Sequence, residues 1–171
     1  TTVLVSVLLY VLYTGIILLI GVPLLGKFQI PMAQFGIYYL CTLLIATAYS
    51  SLFTLIAMCI SNKTLTAVTT LMLAFGLLLA GLATMNVLQA PKTIQTANMK
   101  DGEIELTEMP NPRYPSEKKR KMLEILFDIN PGGQACQFAE GKILHLKRMP
   151  IYSLAVVVLT TGLGLAIFNK K

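Results

Sequence analysis

Hydrophobic positions along the chain gather into four long runs, and polar positions crowd into one stretch between the third run and the fourth. Val3 to Leu25 is interrupted only by Ser6, Thr14, two glycines and Pro23. Ile30 to Ile60 is longer, Leu65 to Leu88 follows, and Pro150 to Phe168 is closed by Asn169-Lys170-Lys171. A bilayer core of about 30 Å is crossed by about 20 apolar residues in a helix. The runs therefore predict transmembrane helices over 3–25, 30–60, 65–88 and 150–168, the second able to tilt or to kink near Pro31. The predicted fold class is an all-α polytopic membrane protein with four visible spans, three of them in residues 1–88 and the last in 150–171. There is no internal repeat and no low-complexity run.

The connections are uneven. Lys27 to Gln29 is a short polar link and Ser61 to Thr64 a turn, whereas residues 89–149 form a polar excursion of 61 residues. Residues 91–115 hold four prolines and read as irregular, because proline removes a donor and disfavours helix at its predecessor. From Ser116, a candidate N-cap, the pattern turns helical and predicts an amphipathic helix over 116–129 lying on membrane or protein. Met122, Ile125, Leu126 and Ile129 form its membrane-facing stripe, with Leu123 beside them. Lys118, Lys119, Arg120, Lys121, Glu124 and Asp128 are assigned to the opposite face. Asn130-Pro131-Gly132-Gly133 breaks the helix, and Gln134 to Ala139 suggests a further short turn before Gly141.

Composition sharpens the membrane reading. The chain is 55% hydrophobic and 13% charged, against roughly 25% charged residues in a soluble domain. All eight acids lie between Asp101 and Glu140, and ten of the fourteen bases between Lys92 and Arg148. The net charge of +6 is thus no nucleic-acid signal. The first apolar run lacks the basic start and small-residue cleavage site of a signal peptide, and the sequence reads as the C-terminal part of a longer membrane protein. Cys41, Cys59 and Cys136 form no disulfide framework. Orientation divides the charges: Lys63, Lys170 and Lys171 stand on one side, and Lys27, Lys92, Lys142, Lys147 and Arg148 on the other. Counting bases within about 15 to 20 residues of a span places the excursion in the cytoplasm.

Candidate chemistry is sparse. The four spans contain no acid and no histidine, whereas ion paths, proton relays and intramembrane proteases need titratable groups within the bilayer. His145 is the only histidine; with no ligand at metal spacing it reads as an interfacial residue beside Lys147 and Arg148. Gly162 and Gly164 lie within a span, so they read as helix-packing glycines and not as a dinucleotide loop. No nucleophile with a base and no carboxylate pair appears, so no catalytic residue, metal or cofactor is expected. Thr47, Ser50, Ser51 and Thr54 form a hydroxyl stripe on the second helix. Gly76 with Ala80, Ala80 with Thr84, and Thr160 with Gly164 form small-residue pairs. Such stripes pack helices closely, or line a substrate path or a dimer seam. The Lys118-Lys119-Arg120-Lys121 run reads first as a solvated face, then as an anionic-lipid contact, and last as a nucleic-acid patch, which would need interleaved aromatics.

Three closely spaced spans, a polar excursion, the stretch Glu124-Ile125-Leu126-Phe127-Asp128-Ile129-Asn130-Pro131-Gly132-Gly133-Gln134-Ala135 and a last span ending in Asn169-Lys170-Lys171 resemble the C-terminal two thirds of a six-span ABC-2 type permease. The likeness is to permeases of Gram-positive bacteria, and the Ser61-Asn62-Lys63-Thr64 turn is similar to the family's turn between spans four and five. The resemblance implies a multi-pass cell-membrane transport subunit that forms homodimers or heterodimers, contacts membrane lipid and couples to a separate cytoplasmic ATP-binding subunit. It implies a hydrophobic or amphipathic substrate. It also implies that the excursion is extracellular, against the charge count, with short re-entrant helices matching about Ser116 to Glu140 and Pro131, Gly132, Gly133 and Gln134 as an outer-face turn. The alternative is a non-transporting membrane scaffold or sensor whose excursion recruits a partner.

Overall fold

The computed structural model describes residues 2–25, 31–100 and 103–169. The polar link Lys27 to Gln29 and the terminal Lys170-Lys171 lie outside the described residues. Four helices are long and apolar enough to cross a membrane, and the chain is an all-α, multi-pass membrane protein. They are α1 (Thr2–Leu25), α2 (Met32–Cys59), α3 (Lys63–Leu88) and, last in the chain, α6 (Met149–Phe168). Between α3 and α6 lie a two-stranded hairpin, β1 (Thr93–Lys100) and β2 (Glu103–Pro110), and two short helices, α4 (Glu117–Ile129) and α5 (Pro131–Glu140).

Small hydroxyl side chains set how the long helices meet. Ser50 of α2 donates to Ser6 of α1 at 3.1 Å, and Tyr10 pairs with Thr42, so α1 runs antiparallel to α2. About a quarter turn round α2, Ser51 accepts from Thr160 of α6 at 2.9 Å, since successive residues of a helix at 3.6 per turn lie about 100° apart. A Cβ built on Gly164 would meet Met58 Sδ at 3.0 Å, so α2 and α6 run parallel and close. Cys41, Ile45 and Ala48 are buried along the same helix, at the i, i+4, i+7 spacing of one helical face. Thr47 and Thr54 return their hydroxyls to Leu43 O and Ser50 O within α2. The hydroxyl stripe is therefore divided between two neighbours and the helix's own backbone. At the far end Asn62 caps α3, accepting from the amides of Thr64 and Leu65.

The stretch expected to be irregular is a regular hairpin. Its register runs from Thr93 opposite Pro110 to Lys100 opposite Glu103. The prolines flank the strands: Pro91 precedes β1, Pro110 closes β2, and Pro112 and Pro115 follow. Strand ends tolerate proline because no ladder donor is needed there. Asn111 ties the legs together, donating its amide to Lys92 O and its side chain to Pro91 O, each at 2.9 Å.

The second departure is at Asn130-Pro131-Gly132-Gly133, which is no loop but the junction of two helices. Asn130 ends α4 and caps α5, accepting from Gly132 N at 2.9 Å. Pro131 occupies the first turn of α5, where its fixed φ favours the helix and its missing N–H costs nothing. Gln134 to Ala139 continues this helix to Gly141, whose φ of +67° closes it in a left-handed cap, a conformation that glycine alone adopts freely.

The close approach of α5 to α3 depends on glycine. A Cβ on Gly132 would lie 2.3 Å from Leu77 O, and one on Gly81 would lie 2.8 Å from Gly133 N. The packing glycine of α3 is thus Gly81, in line with buried Met85 and Leu88. Gly76 and Ala80 are exposed, and Thr84 donates to Ala80 O of its own helix. Gly132→Ala is expected to destabilise the fold by about 1–3 kcal/mol, the usual cost of overpacking. Gly76→Ala, with nothing within 4 Å of its built Cβ, should leave stability unchanged or raise it by up to about 1 kcal/mol through helix propensity. Thermal unfolding of both variants in detergent checks the contrast.

Candidate functional site

The turn between α4 and α5 lies deep against α3. Asn130 Nδ2 donates to Leu77 O at 2.8 Å, and Leu77 stands eleven residues before the end of α3, about 16 Å along the axis at 1.5 Å per residue. From there α5 rises parallel to α3 until Gln89 Nε2 donates to Glu140 Oε2 at 2.9 Å. Phe138 meets Tyr38 of α2 edge-on, with centroids 5.5 Å apart. The chain therefore descends along α4, turns at Asn130, ascends along α5, and descends again in α6. Irregular backbone at such depth is tolerated only when every polar group is paired within protein. Here the Gln134 amide donates to Asn130 O and the Asn130 amide to Leu126 O.

Inside this helical hairpin sits a carboxylate. Asp128, assigned from sequence to the polar outer face of the amphipathic helix, is 0% exposed. The reason is visible in its partners. Gln137 Nε2 donates to Oδ1 at 3.3 Å, and His145 Nδ1 lies 3.0 Å from Oδ2. The backbone carbonyl of the same residue accepts from Gln134 Nε2 at 2.5 Å. Each glutamine has a second partner: Gln134 Oε1 accepts from Ser153 of α6 at 2.7 Å, and Gln137 Oε1 from the Leu144 amide at 2.9 Å. The carboxylate thus joins α4, α5 and the link 141–148, and the backbone carbonyl of the same residue reaches α6 through Gln134 and Ser153. Among the described residues no buried side-chain nitrogen or oxygen lacks a partner, the condition under which a buried polar network is stable.

His145 is accordingly not a bystander of Lys147 and Arg148 but the partner of Asp128, with its ring about one-third exposed. With Asp128 ionised, the 3.0 Å contact requires the His145 proton to sit on Nδ1. Among the described residues the Ser153 hydroxyl is bound to Gln134. No group of three or more His, Cys, Asp and Glu suited to a metal occurs among the described residues. The arrangement binds helices together through Asp128. Neither residue stood out in the sequence as a pair, being seventeen positions apart.

The other sequence-selected residues fall as follows. Pro131, Gly132, Gly133 and Gln134 are all buried in the first turn of α5. Met122, Ile125, Leu126 and Ile129 stay exposed on α4, while its inward face is Leu123, Phe127 and Asp128. Lys118, Lys119 and Lys121 are exposed, but Arg120 turns back to Glu124 at 3.2 Å and stacks over Tyr114 at 5.6 Å. By helical spacing Lys118 and Lys119 precede Met122 by four and three residues, so they share the face of the apolar stripe one turn above it. Only Arg120 and Glu124 are truly opposite.

Comparison of the chain with protein-family models, curated proteins and solved structures finds no match. The site is defined by its geometry.

Cys136, buried between α5 and α3 with its thiol 4.0 Å from Leu78 O, reports on this site. Burial, and then the nearby Glu140 carboxylate, raise its thiol pKa above the ordinary range, so little thiolate is present at neutral pH and maleimide labelling should be slow. Asp128→Ala leaves Gln137 Nε2 and His145 without their acceptor and is expected to cost about 2 kcal/mol. In a variant lacking Cys41 and Cys59, this loss should raise the Cys136 labelling rate about thirtyfold by opening of the α5 seam. Stopped-time labelling read by mass spectrometry checks it.

Proposed function

We propose that the chain belongs to the permease subunit of an ABC-2 type exporter. It forms the membrane pathway for a hydrophobic or amphipathic substrate, such as a peptide, a drug or a lipid-like molecule, in the cell membrane. Two permease copies, identical or related, enclose the path, and a separate cytoplasmic ATP-binding subunit drives it. The observation that carries this reading is the α4–α5 hairpin. It dips beside α3 just before the last span, where the resemblance implies short re-entrant helices. The four spans themselves hold no acid or histidine, and Asp128, beside Asn130 at the depth of Leu77, is engaged by Gln137 and His145. Asp128 and His145 lie outside those spans and hold the hairpin.

The hydroxyl stripe enters the reading as packing: Ser50 and Ser51 hold α1 and α6 on α2. In this proposal the excursion 89–149 faces outward and caps the mouth of the dimer, with Lys63 and Lys171 cytoplasmic. A second reading, a non-transporting scaffold or sensor whose excursion recruits a partner, is favoured by the β1–β2 hairpin. It is regular and carries exposed Ile94, Leu106 and Met109.

The protein is expected to copurify with an ATPase. Transport should stop when that partner's phosphate-binding lysine is replaced and continue when the proton gradient is collapsed at constant ATP. Transport that survives the dead ATPase and fails with the gradient would contradict the exporter reading, and a protein without transport that binds a partner through residues 93–110 would favour the scaffold. Impermeant maleimide should label Ala97→Cys in intact cells, in a variant without native cysteines. Labelling only after lysis would put the excursion in the cytoplasm, as the charge count has it.

A further inference from the structure

The outward face of α4 is divided along its length. Lys118 and Lys119 stand in its first turn, with Lys121 beside them, and Met122, Ile125, Leu126 and Ile129 descend the same face below. A helix lying flat in the membrane interface separates its polar and apolar residues around its circumference. This face separates them from top to bottom, the pattern of a helix that enters the bilayer end first. The path of the chain gives the same orientation. Ile129, at the foot of the stripe, precedes Asn130, which reaches Leu77, so the foot lies level with the exposed Leu78, Leu79 and Leu82 of α3. Lys118 stands eleven residues higher, about 16 Å along the axis, at the level where a bilayer core of about 30 Å gives way to headgroups.

We propose that this face is a lipid-binding surface: the stripe lies in hydrocarbon, and Lys118, Lys119 and Lys121 hold the headgroup phosphate of anionic lipids in the leaflet on the excursion side. Charge complementarity selects the occupant. Three exposed lysines face one exposed acid, Glu117, in this turn, whereas Arg120 is committed to Glu124 and Tyr114. A second copy of the chain would bring the same three lysines against themselves. The long lysine stems reach from helix to phosphate level, and each such base near a membrane surface adds to attraction for anionic lipid.

The chain contains no tryptophan, which allows a direct test. The full chain carrying Met122→Trp, or Leu126→Trp, is placed in vesicles of phosphatidylglycerol and phosphatidylcholine in which only one of the two lipids is brominated on its acyl chains. Both tryptophans should be quenched. Quenching at position 122 should be about twofold stronger by the brominated anionic lipid, and the preference should fall to parity in K118Q/K119Q/K121Q while quenching by phosphatidylcholine persists. Absence of quenching at both positions would mean that protein, such as a second copy, covers the stripe, and would overturn the proposal. So would equal quenching by the two lipids with the lysines intact, or a preference that survives their replacement.

Discussion

A carboxylate with no access to water organises the end of the molecule between the third and the last span. Asp128 accepts from Gln137 and pairs with His145, its own carbonyl takes Gln134, and Gln134 in turn takes Ser153 of α6. Removing a charge from water is costly unless its oxygens are fully engaged. The engagement here comes from two further stretches of chain, α5 through Gln137 and the link 141–148 through His145, which cannot supply it unless α4, α5 and that link are all in place. The constraint is therefore cooperative. It fixes the descent and return of the chain, brings Gly132 and Gly133 against α3, and leaves one face of α4 turned outward.

The two halves of the structure are held by different means. Among α1, α2 and α6 the contacts are apolar with a few hydroxyl bonds, Ser6 to Ser50 and Thr160 to Ser51, each worth roughly 0.6 kcal/mol in a membrane. Many exposed leucines and isoleucines surround them, as expected where lipid, and not water, is the solvent. In the α4–α5 hairpin the specificity is polar and the fit is backbone to backbone. Such an element has essentially one docked arrangement, because neither the glycine contacts nor the Asp128 partners can be exchanged for others by a small slide.

This difference explains which parts were legible in the sequence. Apolar runs of twenty residues have one physical interpretation, and the four spans were located to within two residues at the ends that are described. The hairpin was obscured by its prolines, although Glu103-Ile104-Glu105-Leu106-Thr107 alternates and Asp101-Gly102 is the residue pair that tight hairpin turns favour. Helix α5 was harder to find, since its buried face is Pro131, Gly132, Gly133, Gln134, Cys136 and Gln137. Hydrophobic periodicity does not register a face made of glycine and glutamine. Patterning assigns the Asp128 carboxylate to solvent for the same reason, and its partners Gln137 and His145 come together only where the chain has turned twice.

The Asp128 contacts and the glycine contacts with α3 make residues 128–138, within the polar excursion, a docked element. Hydrogen–deuterium exchange of the full chain in nanodiscs, followed by mass spectrometry from seconds to hours, tests it most directly. Peptides covering 128–138 should exchange as slowly as those covering 77–88, and both should speed up together in Asp128→Ala. Exchange of 128–138 within seconds in the unaltered protein, while 77–88 stays protected, would contradict it.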